Sequence, residues 1–376
     1  MDVVASPQKR ARAEDDLDLP PLPIVSCRSE ELFLADGNIV LRTRSIATSG
    51  EPPVSSVRLT HYRVHKAVLG LNCAAFKDLL EGMSDDAFGN SEMFEGVPVM
   101  DTHDEQKDLD VFLKAIYLHD WIHDSYDTDP EGFLYTSERL LKLAKKYDAV
   151  AIRKTVIKIL EWEWPSEYWT WENVALPSLE TYSGPRWARD PVLAIRLGRD
   201  YDIPSILPAA MYELCVLYEL YDHTRDPDLA VSHWTIEAGD WPDRMTDPLD
   251  LSKLDVEDFK RLWLGRGALH SRWIRTLQNH YFLETIRPLI EIYCLTAEKC
   301  ARTFDQGMRA FRGSRNPVAD PNPFSCLRDA RVFVQNLYGL CGICRDKIIV
   351  SVFDPLVFWG ELPGMFDLPQ ALPPSS

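Results

Sequence analysis

Eight cysteines give this 376-residue sequence its most evident potential for chemistry. Cys341 and Cys344 form a Cys-x-x-Cys pair, which is half of a structural zinc site because such a site takes four ligands. Cys294, Cys300 and Cys326 offer further sulfur ligands, but they do not repeat the paired spacing. We therefore predict no metal site and keep Cys326, Cys341 and Cys344 as the candidates for one. The alternatives are a redox role for the pair and ordinary reduced thiols.

Motifs for other kinds of chemistry are not found in the sequence. It contains no glycine-rich phosphate loop, no Gly-x-Ser-x-Gly and no His-Glu-x-x-His. Paired carboxylates are common in so acidic a chain and do not indicate an acid–base site. We predict a non-enzymatic protein without a cofactor. An enzyme with a helical active site of an unrecognised kind is the alternative.

Composition indicates a folded, acidic protein. Hydrophobic residues make up 45% of the chain, which is enough for a sizeable core. The net charge is −17, which argues against a surface dedicated to nucleic acid because phosphate binding needs clustered cations. The most apolar window, 348–359, is shorter than the roughly 18 residues of a membrane span and contains Asp354 and Pro355. We expect neither nucleic acid nor a membrane as a partner.

The N-terminal residues 1–22 are predicted to form a disordered tail. They hold a basic cluster, an acidic run and a proline-rich stretch, and these bury little surface. No apolar run of about 7 to 15 residues marks a secretion signal. Lys9, Arg10 and Arg12 have the Lys-Arg-x-Arg spacing of a nuclear-import signal. We therefore expect a nuclear or cytoplasmic protein that is not secreted, in which the cysteines are reduced.

Hydrophobic periodicity predicts an α+β fold, with strands early in the chain and helices after them. Residues 54–64 alternate as a strand does, and Leu109, Phe112 and Leu113 form a one-sided helical stripe. In chain order the expected elements are a strand at 31–36, a hairpin of 38–46 with 54–64, two short helices from 65 and 75, a strand at 97–100, a helix from 109, an acidic loop at 120–132, a helix capped by Ser137, and a helix at 152–160.

The second half contains a weak internal repeat and a tryptophan-rich segment. Leu143-Ala-Lys-Lys-Tyr-Asp is echoed 54 residues later by Leu197-Gly-Arg-Asp-Tyr-Asp. This predicts a second helix pair that packs onto the first, with chance similarity as the alternative. The tryptophans of residues 162–187 predict a packed connector rather than an aromatic ligand site.

Several segments resemble the BTB/POZ domain in order and spacing. The segments are Asp36-Gly-Asn-Ile-Val-Leu, Tyr62-Arg-Val-His-Lys-Ala-Val-Leu, Ala75-Phe-Lys-Asp-Leu-Leu, Val97-Pro-Val-Met, Phe112-Leu-Lys-Ala-Ile-Tyr and Leu140-Leu-Lys-Leu-Ala-Lys-Lys-Tyr-Asp. The whole chain is similar to BTB-domain proteins of mushroom-type fungi, including the final Trp359-Gly-Glu-Leu-Pro-Gly-Met-Phe-Asp-Leu.

The resemblance implies a BTB/POZ fold, a small sheet with a helical cluster, followed by a mostly α-helical C-terminal region. We expect the BTB/POZ domain at 23–165, a helical extension at 166–316, and a C-terminal helix with the Trp/Leu-Pro tail at 317–376. Val64, Val68, Leu69 and Phe76 should fill the core.

The resemblance also implies a partner-binding site. In many BTB dimers an acidic residue opens the first strand and a basic residue follows the histidine, so that together they line a charged groove. Lys66 matches the basic position, and His65 precedes it at the junction of hairpin and helix. The acidic position falls on Asn38, with Asp36 two residues earlier. These four are the expected partner-binding residues.

The function implied is protein binding. BTB domains form homodimers or act as adaptors that join a substrate to a cullin-type ubiquitin ligase. We therefore expect an interaction module or adaptor with protein partners, among them a second copy of the chain and a cullin scaffold. A nuclear regulatory scaffold that acts through the basic tail is the alternative.

Overall fold

The computed structural model describes residues 22–49, 54–82, 92–174, 190–221, 250–277, 286–314 and 322–369. It confirms the predicted α+β class, with a curled mixed sheet near the N-terminus and helices after it. The chain divides into two compact units, Met1–Lys114 and Ala115–Ser376. The predicted tail and the basic residues Lys9, Arg10 and Arg12 lie outside the described residues. The domain boundaries drawn from the sequence stay predictions.

The first unit holds the sheet. Its described elements are β1 (Ile24–Phe33), β2 (Ile39–Ser49), β3 (Val54–Val64), α1 (Lys66–Asn72), α2 (Ala74–Gly82), β4 (Met93–Phe94), β5 (Val97–Asp101) and α3 (Gln106–Tyr117), which continues past Lys114. The strands lie in the order β1-β3-β2-β5-β4. β2 and β3 pair antiparallel from Ile39 opposite Val64 to Ser49 opposite Val54, which confirms the predicted hairpin.

The first strand differs from the prediction. β1 spans Ile24–Phe33, whereas the sequence predicts a strand at 31–36. It lies at an edge of the sheet, pairs parallel with β3, and is largely exposed. An edge strand needs no strict alternation of apolar and polar residues, because little of it is buried. The period-two signal is therefore missing from the polar residues 26–31.

The core of the first unit forms where the helices cover the hairpin. Val64 and Leu69 are fully buried and Phe76 is nearly so, which confirms their predicted core positions. Val68 is only half-buried, so its predicted core position is wrong. The stripe of α3 is buried as well, since Leu109, Phe112 and Leu113 lose all exposure. Apolar residues at this spacing share one face of a helix, which is the face that packs inward.

The end of the sheet curls over one face. The ring of Phe94 stacks on the buried His61, with 3.9 Å between centroids. His61 Nδ1 lies 3.1 Å from the carbonyl oxygen of Cys27, so it has a polar partner on β1. The Arg28 guanidinium pairs with Glu95 in the turn between β4 and β5. Ring stacking and this ion pair tie the short β4 hairpin to the opposite edge of the sheet.

The second unit is helical in its described residues. Its elements are α4 (Trp121–Thr128), α5 (Pro130–Tyr147), α6 (Val150–Glu163), α7 (Tyr168–Val174), α8 (Pro191–Asp200), α9 (Leu207–Tyr221), α10 (Val256–Leu277), α11 (Arg287–Tyr293), α12 (Ala297–Ser314), α13 (Pro323–Gln335), α14 (Gly342–Val352) and α15 (Pro355–Met365).

Two predictions for the start of this unit are wrong. The expected acidic loop at 120–132 contains α4 and the beginning of α5. The cap of α5 is Asp129, which accepts a hydrogen bond from the Gly132 N–H, while Ser137 is buried inside the helix. Asp129 followed by Pro130 is a favourable helix start, since the carboxylate caps and the proline lacks an N–H that would go unbonded. Only Ile122 of α4 is buried, so that short helix has almost no apolar pattern.

The internal repeat is visible in the backbone. Asp148 and Asp202 stand at equivalent repeat positions after α5 and α8, and both adopt positive φ, at 52° and 55°. Arg153 of α6 donates a hydrogen bond to the Tyr201 carbonyl, 2.8 Å away. Lys145 of α5 donates to the Asp200 carbonyl. The second helix pair therefore packs onto the first, as the repeat predicts.

An aromatic cluster joins four helices of the second unit. Its members are Tyr168, Trp171, Tyr212, Phe324 and Trp359, whose ring centroids lie 4.8–6.4 Å apart in the pairs that touch. They come from α7, α9, α13 and α15. The indole of Trp171 donates to the buried Glu213 carboxylate, 3.1 Å away. This confirms a packed connector around Trp171, although Trp162 and Trp169 remain exposed. Residues 175–187 of the predicted connector, with Trp187, lie outside the described residues.

One described segment has the length and hydropathy of a membrane span. It is Gly342–Met365, in which an 18-residue window has a mean hydropathy of 1.3, so the expectation that no segment reaches this range is wrong. The segment consists of two helices, α14 and α15, and Ile348 and Leu362 in them are fully buried. Core helices of globular proteins reach the same hydropathy, so this segment alone does not indicate a membrane partner.

Alanine substitutions at two glycines of α10 should have opposite effects on stability. A Cβ at the buried Gly265 would lie 1.9 Å from the ring of Phe366, which is itself fully buried, whereas a Cβ at Gly267 meets nothing within 4 Å. We expect Gly265→Ala to lower the free energy of unfolding by about 1–3 kcal/mol through overpacking. Gly267→Ala should raise it by about 0.5–1 kcal/mol because alanine favours the helix.

Urea unfolding followed by tryptophan fluorescence measures both effects. All 11 tryptophans lie beyond residue 114, so the signal reports the second unit. Equal stabilisation by the two alanines would show that Phe366 does not pack against Gly265.

Candidate functional site

The expected partner-binding residues lie together in the first unit. Asp36 and Asn38 belong to the turn between β1 and β2, and His65 and Lys66 stand where β3 passes into α1. Gly37 lies between the two turn residues. A Cβ there would come within 2.9 Å of the backbone of Arg63 and Val64, so a glycine is needed for this close approach.

Asn38 holds the start of α1. Its side-chain oxygen accepts a hydrogen bond of 2.9 Å from the Lys66 N–H, the first N–H of the helix. Its own N–H donates to the carbonyl of Val64, at 2.9 Å. The first N–H groups of a helix have no partner inside it, so a side chain from the neighbouring turn supplies one. The residue at the acidic position of the resemblance therefore acts as a helix cap.

Asp36 faces the histidine. Its carboxylate lies 3.2 Å from His65 Nε2. A hydrogen bond to its own backbone and the one to His65 lower the pKa of the Asp36 carboxyl. Asp36 itself is exposed, while His65 is half-buried. The contacts therefore differ from those of the expected charged groove. The Asp36 carboxylate contacts His65, and the Asn38 side chain accepts a hydrogen bond from the backbone of Lys66.

A second group of functional side chains lies in the second unit. It is formed by Cys294, Cys300, Cys341 and Cys344, whose Sγ atoms all lie within 4.8 Å of one another. We call this group the cysteine cluster. The Sγ of Cys294 is 3.6 Å from those of Cys300 and Cys341. All four cysteines are free of disulfides.

Helix ends position the cysteine cluster. Cys294 ends α11, and Cys300 follows six residues later in the first part of α12. Cys341 is the N-cap residue of α14, and Cys344 lies in its first turn. The positive end of a helix dipole favours negative charge, and the cysteine cluster lies at the starts of α12 and α14.

Local contacts shift the pKa values of two cysteines of the cluster in opposite directions. Hydrogen bonds from Thr296, supplemented by those from Cys344 and Cys300, lower the pKa of Cys294 to about 6. Burial raises the pKa of Cys344, and the neighbouring sulfurs of Cys294 and Cys341 raise it further. Cys294 is therefore the more readily ionised sulfur.

The sequence indicated only part of this cluster. Cys341 and Cys344 are in it, but Cys326 is buried in α13 and does not belong to it. Cys294 and Cys300 are separated by a helix end and a helix start, so their spacing matches no local motif. The sequence signal for this arrangement is Thr296, because threonine often stands at the start of a helix and here indicates that a new helix begins between the two cysteines.

Comparison with known proteins identifies no relative. No protein-family model, curated protein or solved structure matches this chain. The BTB/POZ resemblance therefore stays a prediction, and the functional argument rests on the sites themselves.

The contact between Asn38 and α1 leads to a prediction for local stability. Asn38→Ala removes the acceptor of the Lys66 N–H, and loss of such a cap costs about 0.5–2 kcal/mol. We expect amide exchange in residues 66–69 to become roughly 2- to 30-fold faster. Hydrogen–deuterium exchange of the full chain, read by mass spectrometry, measures this.

Asn38→Asp is the matched control. Its carboxylate can accept the same hydrogen bond and also favours a helix N-terminus, so the exchange rate should not increase. Equal protection of residues 66–69 in the alanine variant and the unmodified chain would show that Asn38 does not cap α1.

Proposed function

We propose that this chain is a non-enzymatic protein-interaction module that associates with a second copy of itself through its first unit. The observation that carries the proposal is the open edge of the sheet at β1. This strand pairs with β3 on one side, and no described strand lies along its other side. An unpaired strand edge presents a row of N–H and C=O groups that another chain can bind by strand addition.

The regular part of this edge is short and apolar. Residues Ile24–Arg28 pair in register with β3, and the register shifts between Arg28 and Phe33. Ile24 and Val25 are 67% and 47% exposed, although both are β-branched residues that strands normally bury on one face. Consecutive residues of a strand point to opposite faces, so each face has one exposed apolar side chain beside the open edge.

A second copy suits this edge. Two β1 strands can pair antiparallel around Ser26 with Ile24 opposite Arg28 and Val25 opposite Cys27, so no like charges face each other. Such a pair has two-fold symmetry, which is the commonest arrangement of soluble oligomers. Beyond Arg28, the charged residues Glu30 and Glu31 limit further strand addition.

We also propose the finer fold assignment, a BTB/POZ fold for residues 23–165. The order of a strand, a hairpin, two short helices, a short strand and a helix supports it. The proposed role as an adaptor toward a cullin-type scaffold follows from the resemblance, which likewise supports self-association.

Lysine at the edge should abolish self-association. Burying a Val or Ile side chain contributes roughly 1.5–3 kcal/mol, so replacing both Ile24 and Val25 by Lys should weaken dimers by about a hundredfold or more. Multi-angle light scattering of the full-length chain over a range of concentrations measures this. We expect a dimer for the unmodified chain and a monomer for Ile24→Lys/Val25→Lys, with unchanged circular dichroism because both positions are exposed.

Leu71→Lys/Leu79→Lys is the matched control. These leucines are exposed on α1 and α2, so the double variant introduces the same charge on the same unit away from β1. It should remain dimeric. A monomeric unmodified chain would refute self-association, and a dimer that survives lysine at positions 24 and 25 would place the interface elsewhere.

A further inference from the structure

We propose that the cysteine cluster binds one Zn²⁺ ion as a structural tetrathiolate site. Four sulfur ligands bind zinc in tetrahedral geometry, with Zn–S distances of about 2.3 Å, which places neighbouring sulfurs about 3.8 Å apart. Two Sγ–Sγ distances in the cluster are 3.6 Å, and none exceeds 4.8 Å. The sulfurs therefore surround a position for a single ion at nearly the required spacing.

The four sulfur ligands determine which metal ion the site prefers. Soft thiolates in a tetrahedral arrangement favour zinc over magnesium, calcium or manganese, which prefer oxygen ligands. Zinc binding displaces the four thiol protons and leaves a complex of net charge −2, which the N-terminal ends of α12 and α14 help to stabilise. Thr296 Oγ1 lies 3.5 Å from Cys294 Sγ and 3.8 Å from Cys300 Sγ, so its hydroxyl can donate to a zinc-bound sulfur.

The site is closed by protein ligands. All four positions of a tetrahedron are filled by cysteines, whereas a catalytic zinc keeps one position for water or substrate. Cys300 and Cys344 are almost fully buried, and the other two are half-buried. The ion would therefore support structure, which agrees with a non-enzymatic protein and does not depend on self-association.

The position of the cluster shows what the ion would hold together. It joins the turn between α11 and α12 to the start of α14, more than 40 residues later. The residues beside the cysteines bury little apolar surface: Ile292, Leu295 and Ile343 are all exposed. A bound ion would therefore link these helix ends at a point where the adjoining apolar side chains are not buried.

A disulfide is the competing outcome at this site. The same sulfurs lie close enough to be oxidised in pairs after small movements, and each bond formed would remove two hydrogens and require an external oxidant. Zinc and disulfides are mutually exclusive on the same sulfurs, because zinc needs them as thiolates. The mass of the intact chain and its metal content distinguish the two.

Metal analysis of the full-length chain tests the proposal. The protein is purified under reducing conditions without a chelator, and its zinc content is measured by inductively coupled plasma mass spectrometry. We expect one zinc per chain, with loss of zinc in Cys344→Ser and in Cys294→Ser. Substituting Co²⁺ should produce the visible absorption of a tetrahedral site and a thiolate charge-transfer band.

Two variants keep the result independent of folding. Cys326→Ala changes a buried cysteine outside the cluster and should retain one zinc per chain. Cys294→His replaces a half-buried ligand by another zinc ligand and should retain zinc that Cys294→Ser loses. Zinc that persists without Cys294 and Cys344, iron in place of zinc, disulfides in the reduced preparation, or no uptake of added Zn²⁺ or Co²⁺ would each overturn the proposal.

Discussion

The antiparallel pairing of β2 with β3 is the interaction on which the first unit depends. It runs over the full length of both strands. β1 attaches to the free side of β3 and β5 to the free side of β2, and β4 joins the sheet through β5. Asn38 immediately precedes β2 and Lys66 begins α1, so the end of the hairpin where Ile39 lies opposite Val64 also sets the entry of the first helix. Because β3 becomes a central strand, β1 is left as the edge. The exposed surface that supports self-association is therefore a direct consequence of the hairpin.

In the second unit, buried polar atoms make the aromatic packing specific. The Tyr212 hydroxyl donates to Asn322 at 2.7 Å and accepts from the Phe324 N–H, while the Trp359 indole donates to the Ser166 carbonyl at 2.6 Å. Burial of rings alone would tolerate many arrangements, whereas a buried polar group without its partner is costly. These bonds explain why residues far apart in the chain meet in one cluster. They also give the C-terminal Trp359 segment, noted in the sequence only as a resemblance, a structural role.

The parts of the fold that sequence predicts are those in which local pattern and burial agree. The β2–β3 hairpin alternates, and α3 carries a continuous apolar stripe, because one face of each is buried. The sequence does not predict β1 and α4 correctly, for the opposite reason. β1 is an edge strand and α4 buries a single residue, so neither element needs periodic apolar positions. For the N-terminal site, the resemblance correctly groups Asp36, Asn38, His65 and Lys66, but the contacts among them depend on the close approach at Gly37.

The cysteine cluster shows a further limit of sequence patterns. A Cys-x-x-Cys pair is recognisable because both sulfurs lie in one helical turn, but Cys294 and Cys300 converge through a change of direction between two helices. Their approach to Cys341 depends on the packing of α11 against α14, which no local spacing encodes. Four free thiols gathered at helix ends, beside exposed apolar residues, contribute little stability while they remain protonated, since a thiol is a weak hydrogen-bond donor. As thiolates around a cation, the same four side chains would link the end of α11 to the starts of α12 and α14.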